Sequence, residues 1–563
     1  MKKIKKLLAL VMAMTMVLGM GMVSFAKTPG DDQIYGTDDD RGSISVAGIT
    51  YEAGITVNAY QIIEAQYDED NDNFIGYNPL YAGITENPVT GEFTVTEEVL
   101  NAILADIRGD NPLVNPERIY PMSYDGETQM YTAVEVPVGS YLVVIENAET
   151  KVYNPVVVSA KYITTNGGNN VEDKTLDISD DPAWVKVSNV PGIDKTVSDT
   201  SGNIERDKNG NSVNIGDDVT YTVTIDPIPN YGGDYPVLNV VDTLSDGLEF
   251  NKGSLTVKVK DANTGTETSL DLDEDYTFTP EEDLVAQGGG TFKVDFVVGG
   301  KYMLNDYVGD KVVITYTAKV TREAVVNEDG NNNNAVLNFT TDSKTDGHGD
   351  TDEDKTYTYT FDIDGSTTAN TITKVGEGTD EERLGGAVFG LYTDISCDDE
   401  EAYTNESGTL KNYVINEGED DEQILVSTGN AVVSDENGQL HISGLAAGTY
   451  YLKELYAPAG YSVNTHVFTI EINAIYNETD DKLLDSWEVK VDGTVAKTFT
   501  VDHTGETPVV EGSGNGQIIQ NTKIPSLPST GGIGTTIFTI GGCVIMIAAA
   551  ALFFVNRRKS EEN

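Results

Sequence analysis

The chain has 563 residues, with 92 acidic and 36 basic side chains, so its formal net charge is −56 at pH 7. Nucleic acids and anionic lipids are bound through basic patches, so a chain this acidic argues against both classes of partner. It suits a solvated, self-repelling surface, and the length leaves room for roughly three domains of ordinary size.

The amino-terminal segment has the pattern of a secretory signal peptide. Basic residues in MKKIKK precede an apolar stretch from Leu7 to Val23, which Ser24, Phe25 and Ala26 follow. This order of a basic region, an apolar region and a small-residue exit predicts a signal peptide over residues 1–26, with cleavage after Ala26. The rest of the chain is therefore expected to be exported.

Residues 27–190 are predicted to form a β-sandwich domain that carries one helix. Short runs rich in Val, Ile, Tyr and Thr, such as Ile55 to Ile63 and Tyr141 to Glu146, reach strand length only. The segment Thr96 to Arg108 instead has apolar residues at helical spacing, with Thr96 as the N-cap. The acidic run Asp68 to Gly76 lacks the glycine and the closing glutamate of a calcium loop, so we interpret it as a hairpin turn and not as a metal site. We expect no cofactor in this protein.

Two further β-sandwich domains are predicted, over residues 191–365 and 366–523. The first contains short runs with alternating apolar and polar positions, which is typical of an immunoglobulin-like sandwich. In it, the polar stretch Lys344 to Lys355 is interpreted as a loop or linker between strands. The second shows the same signal in runs such as Ala369 to Val375 and Leu440 to Tyr461. The predicted fold class is therefore mostly β, with tandem immunoglobulin-like sandwiches.

The carboxyl end combines a short motif, an apolar span and a basic tail. The motif LPSTG lies within residues 524–532, an apolar run follows over 533–555, and the tail covers 556–563. About 20 apolar residues are enough to cross a bilayer as a helix, and a basic tail favours the cytoplasmic side for its own end.

In that order, these three features resemble the cell-wall sorting signal of Gram-positive surface proteins. The resemblance implies that a sortase recognises Leu527, Pro528, Ser529, Thr530 and Gly531. It also implies that the sortase cleaves between Thr530 and Gly531 and joins the threonine carbonyl to an amine.

Cysteine usage leaves no intramolecular disulfide in the exported part. Cys543 lies within the apolar span, so Cys397 is the single cysteine upstream of it. Because small secreted domains are commonly stiffened by disulfides, we expect another crosslink, or large cores, to stiffen these domains.

The segment YLKELYAPAGY, residues 451–461, carries a second resemblance. It resembles the E-box, YxLxExxAPxGY, of collagen-adhesin B-type domains in sortase-assembled pilins. In that family the E-box glutamate lies between a lysine on the first strand and an asparagine on the last. The matching residues in this chain are Glu454, Lys374 in TITKV and Asn521 in IIQNTK.

These three residue types can form a Lys–Asn isopeptide bond without an enzyme. Burial lowers the pKa of a lysine and so supplies the neutral amine that attacks. A buried carboxylic acid that stays protonated can donate a hydrogen bond to the Asn521 carboxamide and move protons as ammonia leaves. The resemblance therefore implies a bond between the first and last strands of this domain, with Glu454 as its catalyst.

The preceding domain resembles the isopeptide-forming fimbrial domain of the collagen-adhesin A type. The implied residues are Lys195 in PGIDKTV, Asp242 in VVDTLSDGLEF as the acid, and Asn334 in NNNNAVLNF. Asn334 is chosen on the family pattern NxAxLxF. Its alternatives on the same run stay open: Asn332, Asn333 and Asn338. We identify no comparable trio in the first domain.

Major pilins also carry a lysine that accepts the sorting signal of the next subunit. The segment PAWVKVSNVPGIDK departs from the family motif WxxxVxVYPK, because it has Trp184 but no YPK. It is closer to pilins with an A(Y/W)xKSS-like segment just ahead of the second domain. The resemblance implies Lys186 as the acceptor, and Lys161 in VVVSAKY is the alternative.

Over nearly the whole chain, the resemblance is to a sortase-assembled major (backbone) pilin of Gram-positive bacteria. It implies a structural, wall-anchored pilus subunit on the cell surface that has no enzymatic activity on an external substrate. The implied partners are pilin-specific and housekeeping sortases, other copies of the chain in a covalent head-to-tail polymer, peptidoglycan, minor pilins and the host surface. The alternative function is an unpolymerised wall-anchored adhesin, or a tip pilin, that binds a host ligand.

Overall fold

The computed structural model is mostly β, which confirms the predicted fold class. It describes residues 16–18, 39–67, 74–87, 93–109, 115–164, 176–178, 182–199, 210–231, 236–284, 289–327, 330–341, 350–364, 371–378, 382–417, 422–477, 483–505, 508–525 and 533–560. These residues form three successive β units and a carboxyl-terminal helix.

The first unit is a two-sheet sandwich with a helix on its outer face. One sheet has the strand order β12-β10-β3-β4, with β7 also paired to β3, and the other has the order β15-β2-β9-β8. Its elements are β1 (Met16–Leu18), β2 (Arg41–Ala47), β3 (Thr56–Tyr67), β4 (Phe74–Pro79), β5 (Thr85–Glu86), β6 (Phe93–Val95), α1 (Glu97–Arg108), β7 (Ile119–Pro121), β8 (Ser123–Asp125), β9 (Met130–Pro137), β10 (Gly139–Glu146), β11 (Lys151–Tyr153), β12 (Val156–Ala160), β13 (Tyr162–Thr164), β14 (Leu176–Ile178), β15 (Ala183–Trp184) and β16 (Val187–Asn189).

The predicted helix of this unit is confirmed, and so is its cap. The Thr96 side chain accepts a hydrogen bond from the Val99 amide at the start of α1. Strand β10 is buried along its whole length because it has a core on each side: Tyr141 and Val143 face the other sheet, whereas Leu142 and Val144 face the helix. Ala26 lies outside the described residues, and β1, within the predicted signal peptide, pairs with β6.

The second unit is a sandwich of two sheets that enclose one apolar core. The sheets have the strand orders β17-β19-β27-β21-β22 and β18-β29-β28-β20-β24-β23. The elements are β17 (Gly192–Asp199), β18 (Gly210–Ser212), β19 (Asp218–Asp226), β20 (Leu238–Leu244), β21 (Leu248–Lys260), β22 (Glu267–Ser269), β23 (Thr277–Pro280), α2 (Glu281–Leu284), β24 (Phe292–Asp295), β25 (Val297–Val298), β26 (Lys301–Tyr302), β27 (Lys311–Val320), β28 (Asn331–Phe339) and β29 (Asp350–Tyr359).

One interpretation of this unit needs correction. The polar run that ends at Lys355 was expected to be a loop or linker, but its part from Asp350 onward belongs to β29. Strand β29 pairs with β28 over nine consecutive residues, and this ladder satisfies the backbone of a segment whose side chains are mostly solvated.

The third unit has one eight-stranded sheet and a separate parallel pair. The sheet has the order β32-β33-β31-β34-β35-β36-β37-β38, and β30 pairs with β39. The strands are β30 (Ile372–Gly376), β31 (Val388–Tyr392), β32 (Lys411–Glu417), β33 (Glu422–Val433), β34 (Gly448–Tyr456), β35 (Val467–Tyr476), β36 (Leu484–Val491), β37 (Thr494–Asp502), β38 (Val509–Ser513) and β39 (Gln517–Asn521). Phe361 and Ile363 already pack in this core, ahead of the boundary expected at residue 366.

The chain continues into a helix, α3 (Ile533–Ser560). Its segment Ile537–Val555 is long and apolar enough to cross a membrane, with a mean hydropathy of 2.5, and none of it is buried against the rest of the protein. The LPSTG motif lies just ahead of α3, outside the described residues.

Candidate functional site

The third unit brings its lysine, glutamate and asparagine together at the end of the β30–β39 pair. The two strands run parallel with Lys374 opposite Ile519, and Asn521 lies two residues further along. Side chains alternate along a strand, so Ile519 and Asn521 point to the same face as each other. Glu454 reaches this point from β34, the strand that carries the E-box.

The three side chains form a continuous hydrogen-bonded chain. Lys374 Nζ lies 2.5 Å from Asn521 Oδ1, and Asn521 Nδ2 donates to Glu454 Oε1 at 2.8 Å. Lys374 Nζ is 3.8 Å from the same carboxylate oxygen. The other oxygen, Glu454 Oε2, accepts a hydrogen bond from the backbone N–H of Asn464 at 2.6 Å. This bond holds the Glu454 carboxyl group against the side-chain amide of Asn521.

Burial changes the charge state that the Lys374 amine prefers. The Lys374 side chain has no exposed surface, and neither does that of Glu454. Removal from water lowers the pKa of Lys374 to about 8, against the opposing effect of the nearby Glu454 charge. A much larger fraction of this amine is therefore neutral near physiological pH than of an exposed lysine.

The second unit assembles a similar centre from β17, β20 and β28. Lys195 Nζ contacts both oxygens of Asp242, at 2.9 and 2.8 Å, and it lies 2.6 Å from Asn333 Oδ1. All three residues are fully buried. Burial lowers the pKa of Lys195 to about 8 and raises that of Asp242, so both shifts favour the uncharged pair.

The asparagine at this centre is Asn333 and not Asn334, which corrects the choice made from the sequence. Successive residues of a strand point to opposite faces. In β28 Asn333 therefore points into the core, whereas Asn334 points outward and donates to Glu353. The pattern NxAxLxF, counted back from Ala335, in fact falls on Asn333, so the sequence contained the signal.

Sequence reasoning missed a fourth polar residue in this centre. The Tyr316 hydroxyl donates to Asp242 Oδ2 at 2.9 Å and accepts from Asn333 Nδ2 at 2.7 Å. Tyr316 lies on β27, in the sheet opposite Asp242 and Asn333, and it stacks on Tyr221 with ring centroids 5.4 Å apart. The alternation of apolar and polar residues is enough to predict β27 as a strand. No sequence motif connects Tyr316 on this strand with Asp242, so their contact could not be predicted.

The predicted polymerisation lysine lies at the seam between the first and second units. Lys186 is exposed, and it follows the buried Val185, whose amide donates to the Ala47 carbonyl at 3.1 Å. The Lys186 carbonyl accepts from the Asn154 amide at 3.0 Å. Two backbone hydrogen bonds thus hold the segment while the amine projects into solvent. The alternative, Lys161, is half-buried.

Comparisons with protein families give matches in three parts of the chain. A T6 antigen immunoglobulin-like domain matches residues 39–187, a prealbumin-like fold domain (SpaA) matches 368–483, and an LPXTG cell wall anchor motif matches 519–562. The last match covers the motif, the helix and the tail that the sequence predicted as a sorting signal.

One curated relative is similar over the whole length. The trypsin-resistant surface T6 protein of Streptococcus pyogenes serotype M6 is 26% identical, and the alignment covers 98% of this chain and 99% of that protein.

Solved structures of pilins are also similar. The T6 backbone pilin of serotype M6 Streptococcus pyogenes is 19% identical, with a TM-score of 0.49 over 87% of this chain and 99% of that one. The major pilin SpaA of Corynebacterium diphtheriae is 14% identical, with a TM-score of 0.41 over 86% of this chain and 100% of that one.

Together, the full-length similarity to the T6 protein, the anchor motif and the prealbumin-like domain support a sortase-anchored backbone pilin, a structural subunit of a cell-surface pilus.

Proposed function

We propose that this chain polymerises by a bond between Thr530 of one subunit and Lys186 of the next. A sortase would cleave LPSTG after Thr530, hold the threonine as a thioacyl intermediate and transfer it to the lysine amine. Repetition gives a covalent head-to-tail fibre, and a last transfer to peptidoglycan anchors it to the wall. The observation that carries the proposal is the exposure of Lys186 on a segment fixed at the seam between two units.

Exposure at this seam supports Lys186 over the other lysines that the structure describes in the same region. Lys195 is fully buried and occupied by Asp242 and Asn333, so an enzyme-bound threonine cannot reach its amine. Lys151 donates to Asn189 across the β11–β16 pair.

The second part of the proposal is that the two buried centres form internal isopeptide bonds, Lys374–Asn521 and Lys195–Asn333. In each, the lysine amine would attack the asparagine carboxamide carbon, and ammonia would leave with protons supplied by the buried acid. The contacts that support this reaction are the short distances from each Nζ to the amide oxygen, 2.5 and 2.6 Å, in sites where both lysines have lowered pKa values.

Substitution of the acceptor lysine tests the polymerisation step. We expect Lys186→Arg to abolish the high-molecular-weight ladder that wall extracts give on denaturing gels, because the guanidinium keeps the charge but does not attack a thioacyl group. Lys161→Arg is the matched control and should leave the ladder intact. A ladder that persists in Lys186→Arg but disappears in Lys161→Arg would transfer the role to Lys161, and one that persists in both would refute the assignment.

A further inference from the structure

The two buried centres connect their acid to the reacting groups in different ways. In the third unit, the glutamate accepts directly from the asparagine amide at 2.8 Å, and the lysine is 3.8 Å from it. In the second unit the acid instead contacts the lysine directly, at 2.8 Å, and within the described residues it makes no hydrogen bond to the asparagine amide. Aspartate is one methylene shorter than glutamate, so the carboxyl group of Asp242 lies closer to its own strand than that of Glu454.

The Tyr316 hydroxyl spans this gap. It is 2.9 Å from Asp242 Oδ2 and 2.7 Å from Asn333 Nδ2, the nitrogen that must leave as ammonia. We propose that Tyr316 is a catalytic residue of the second-unit bond, whose hydroxyl relays a proton from Asp242 to the departing nitrogen of Asn333. This inference rests on the proposed Lys195–Asn333 bond.

Lys195, Asp242, Asn333 and Tyr316 together account for every proton that moves in the reaction. Lys195 first gives one proton of its ammonium to Asp242, and the neutral amine then attacks Asn333 Cγ. As the bond from Cγ to Nδ2 breaks, the Tyr316 hydroxyl gives its proton to Nδ2 and is reprotonated by Asp242, so ammonia leaves with three hydrogens. The nitrogen of the new amide bond then releases one proton to Asp242 and keeps one hydrogen. Asp242 is therefore protonated at the end of the reaction.

Neighbouring groups in the same pocket do not offer this route. Tyr221 stacks on Tyr316 and interacts with Asn333, but its hydroxyl pairs with Thr358 Oγ1 at 2.8 Å, and no hydrogen bond connects it to the acid in the part of the chain that the structure describes. Tyr221 is therefore a matched control, because its loss removes a buried hydroxyl from the same aromatic stack without interrupting the path from Asp242 to Asn333.

The test follows each bond separately in the full chain, by pulse labelling and by mass spectrometry of the crosslinked peptides. We expect Tyr316→Phe to slow formation of the Lys195–Asn333 bond by about a hundredfold or more, the usual worth of a positioned proton donor. The Lys374–Asn521 bond of the same molecules, and both bonds in Tyr221→Phe, should form at the wild-type rate. A normal rate for the second-unit bond in Tyr316→Phe would overturn the relay.

A compensating variant separates the relay from a packing role. In Tyr316→Phe combined with Asp242→Glu, the longer acid should reach Asn333 directly, as Glu454 reaches Asn521, and the bond should return although phenylalanine remains in the stack. A double variant that still lacks the bond would overturn the inference. Absence of both bonds in the unchanged protein is a different result, because it would refute the proposed internal crosslinks themselves.

Discussion

At the scale of single residues, each of the two centres contains a buried lysine. The neighbouring carboxylate does not fully compensate the free-energy cost of removing the charged amine from water. Burial disfavours the charged amine more strongly than the neighbouring carboxylate favours it, which is why the pKa values of Lys195 and Lys374 fall to about 8. A buried charge is costly to the fold. An amide bond would remove the ionisable amine, so the proposed reaction relieves the cost that makes the lysine reactive.

The choice between neighbouring asparagines can be measured directly. We expect the unchanged chain to have lost two molecules of ammonia and Asn333→Ala to have lost one, because its Lys195 then has no amide to attack. Asn334→Ala should still have lost two, since its side chain lies on the outer face of β28. Intact mass measurement distinguishes these outcomes, and a single loss in Asn334→Ala with two in Asn333→Ala would reverse the assignment.

The lowered pKa of Lys374 predicts that the stability of the third unit depends on pH when the Lys374–Asn521 bond cannot form. In Asn521→Ala, Lys374 stays a buried amine with a folded-state pKa near 8, below the ordinary value of 10.5. Between these two values the unfolded chain binds more protons, so the stability of the third unit should rise with pH, by at most about 1.4 kcal/mol per pH unit. Below about pH 8 this contribution should be flat.

Fluorescence of the buried Trp487 in the third core can follow that transition in denaturant, because the other tryptophan, Trp184, is exposed in the first unit. Lys374→Met combined with Asn521→Ala is the control and should not show the rise. An equal rise in both variants would assign the effect to other groups.

At the scale of elements, side chains of β29 cover the outer edge of β17. The Ile193 amide donates to Asp352 Oδ2 at 3.0 Å, and the Lys195 amide donates to Asp354 Oδ2 at 2.7 Å. Strand β17 pairs with β19 on its other side, so these carboxylates satisfy amides that an edge strand would leave open. They also hold the backbone of Lys195 where its side chain enters the core.

Removal of one carboxylate should loosen this edge. In an Asn333→Ala background, where no crosslink masks the effect, we expect Asp354→Ala to lower the protection of β17 by about 1 kcal/mol, or about fivefold in amide exchange. Hydrogen exchange with mass spectrometry measures this on peptides from β17. Glu353→Ala changes the adjacent, exposed residue and should leave the exchange unaltered; equal effects from both variants would argue against the specific contacts.

At the scale of the whole molecule, the units are linked by contacts as well as by the chain. Val152 of the first unit packs in the second core. The second and third units share the Lys319–Glu406 ion pair and a hydrogen bond from the Ile215 amide to the Gly444 carbonyl. Each proposed crosslink joins strands far apart in sequence, 138 residues in the second unit and 147 in the third. A pulling force along the fibre would then meet a covalent bond within these two units.

Closing such a long loop should stabilise the folded state strongly. By the chain-entropy argument used for disulfides, a loop of this length is worth about 5 kcal/mol. We therefore expect Asn521→Ala to lower the unfolding free energy of the third unit by about that amount, measured by Trp487 fluorescence in guanidinium chloride. Gln520→Ala, at the exposed neighbouring position of β39, is the control. Equal stability of Asn521→Ala and the unchanged chain would contradict a crosslink there.

The sequence by itself determined the features that depend on residues close together in the chain. The capped helix behind Thr96 could be predicted from periodicity, and the sorting signal and the E-box from short motifs that resemble those of known families. Lys374 and Asn521 could be named only through that resemblance, because they lie far from Glu454 in the chain. The helix, the sorting motif and the E-box can be recognised without coordinates because each of them is a run of consecutive residues. For the LPSTG motif this holds although its residues lie outside the described part.

In the second unit, the tertiary structure decided which asparagine meets Lys195 and which further side chains join the centre. Asn333 and not Asn334 faces Lys195 because the register of β28 against β20 sets which face points inward. Tyr316 reaches Asp242 from the opposite sheet, 74 residues away, and Asp354 reaches the backbone of Lys195 from a segment expected to be a loop. The contacts of Tyr316 and Asp354 arise from the packing of one sheet on the other, which brings together residues that no local pattern connects.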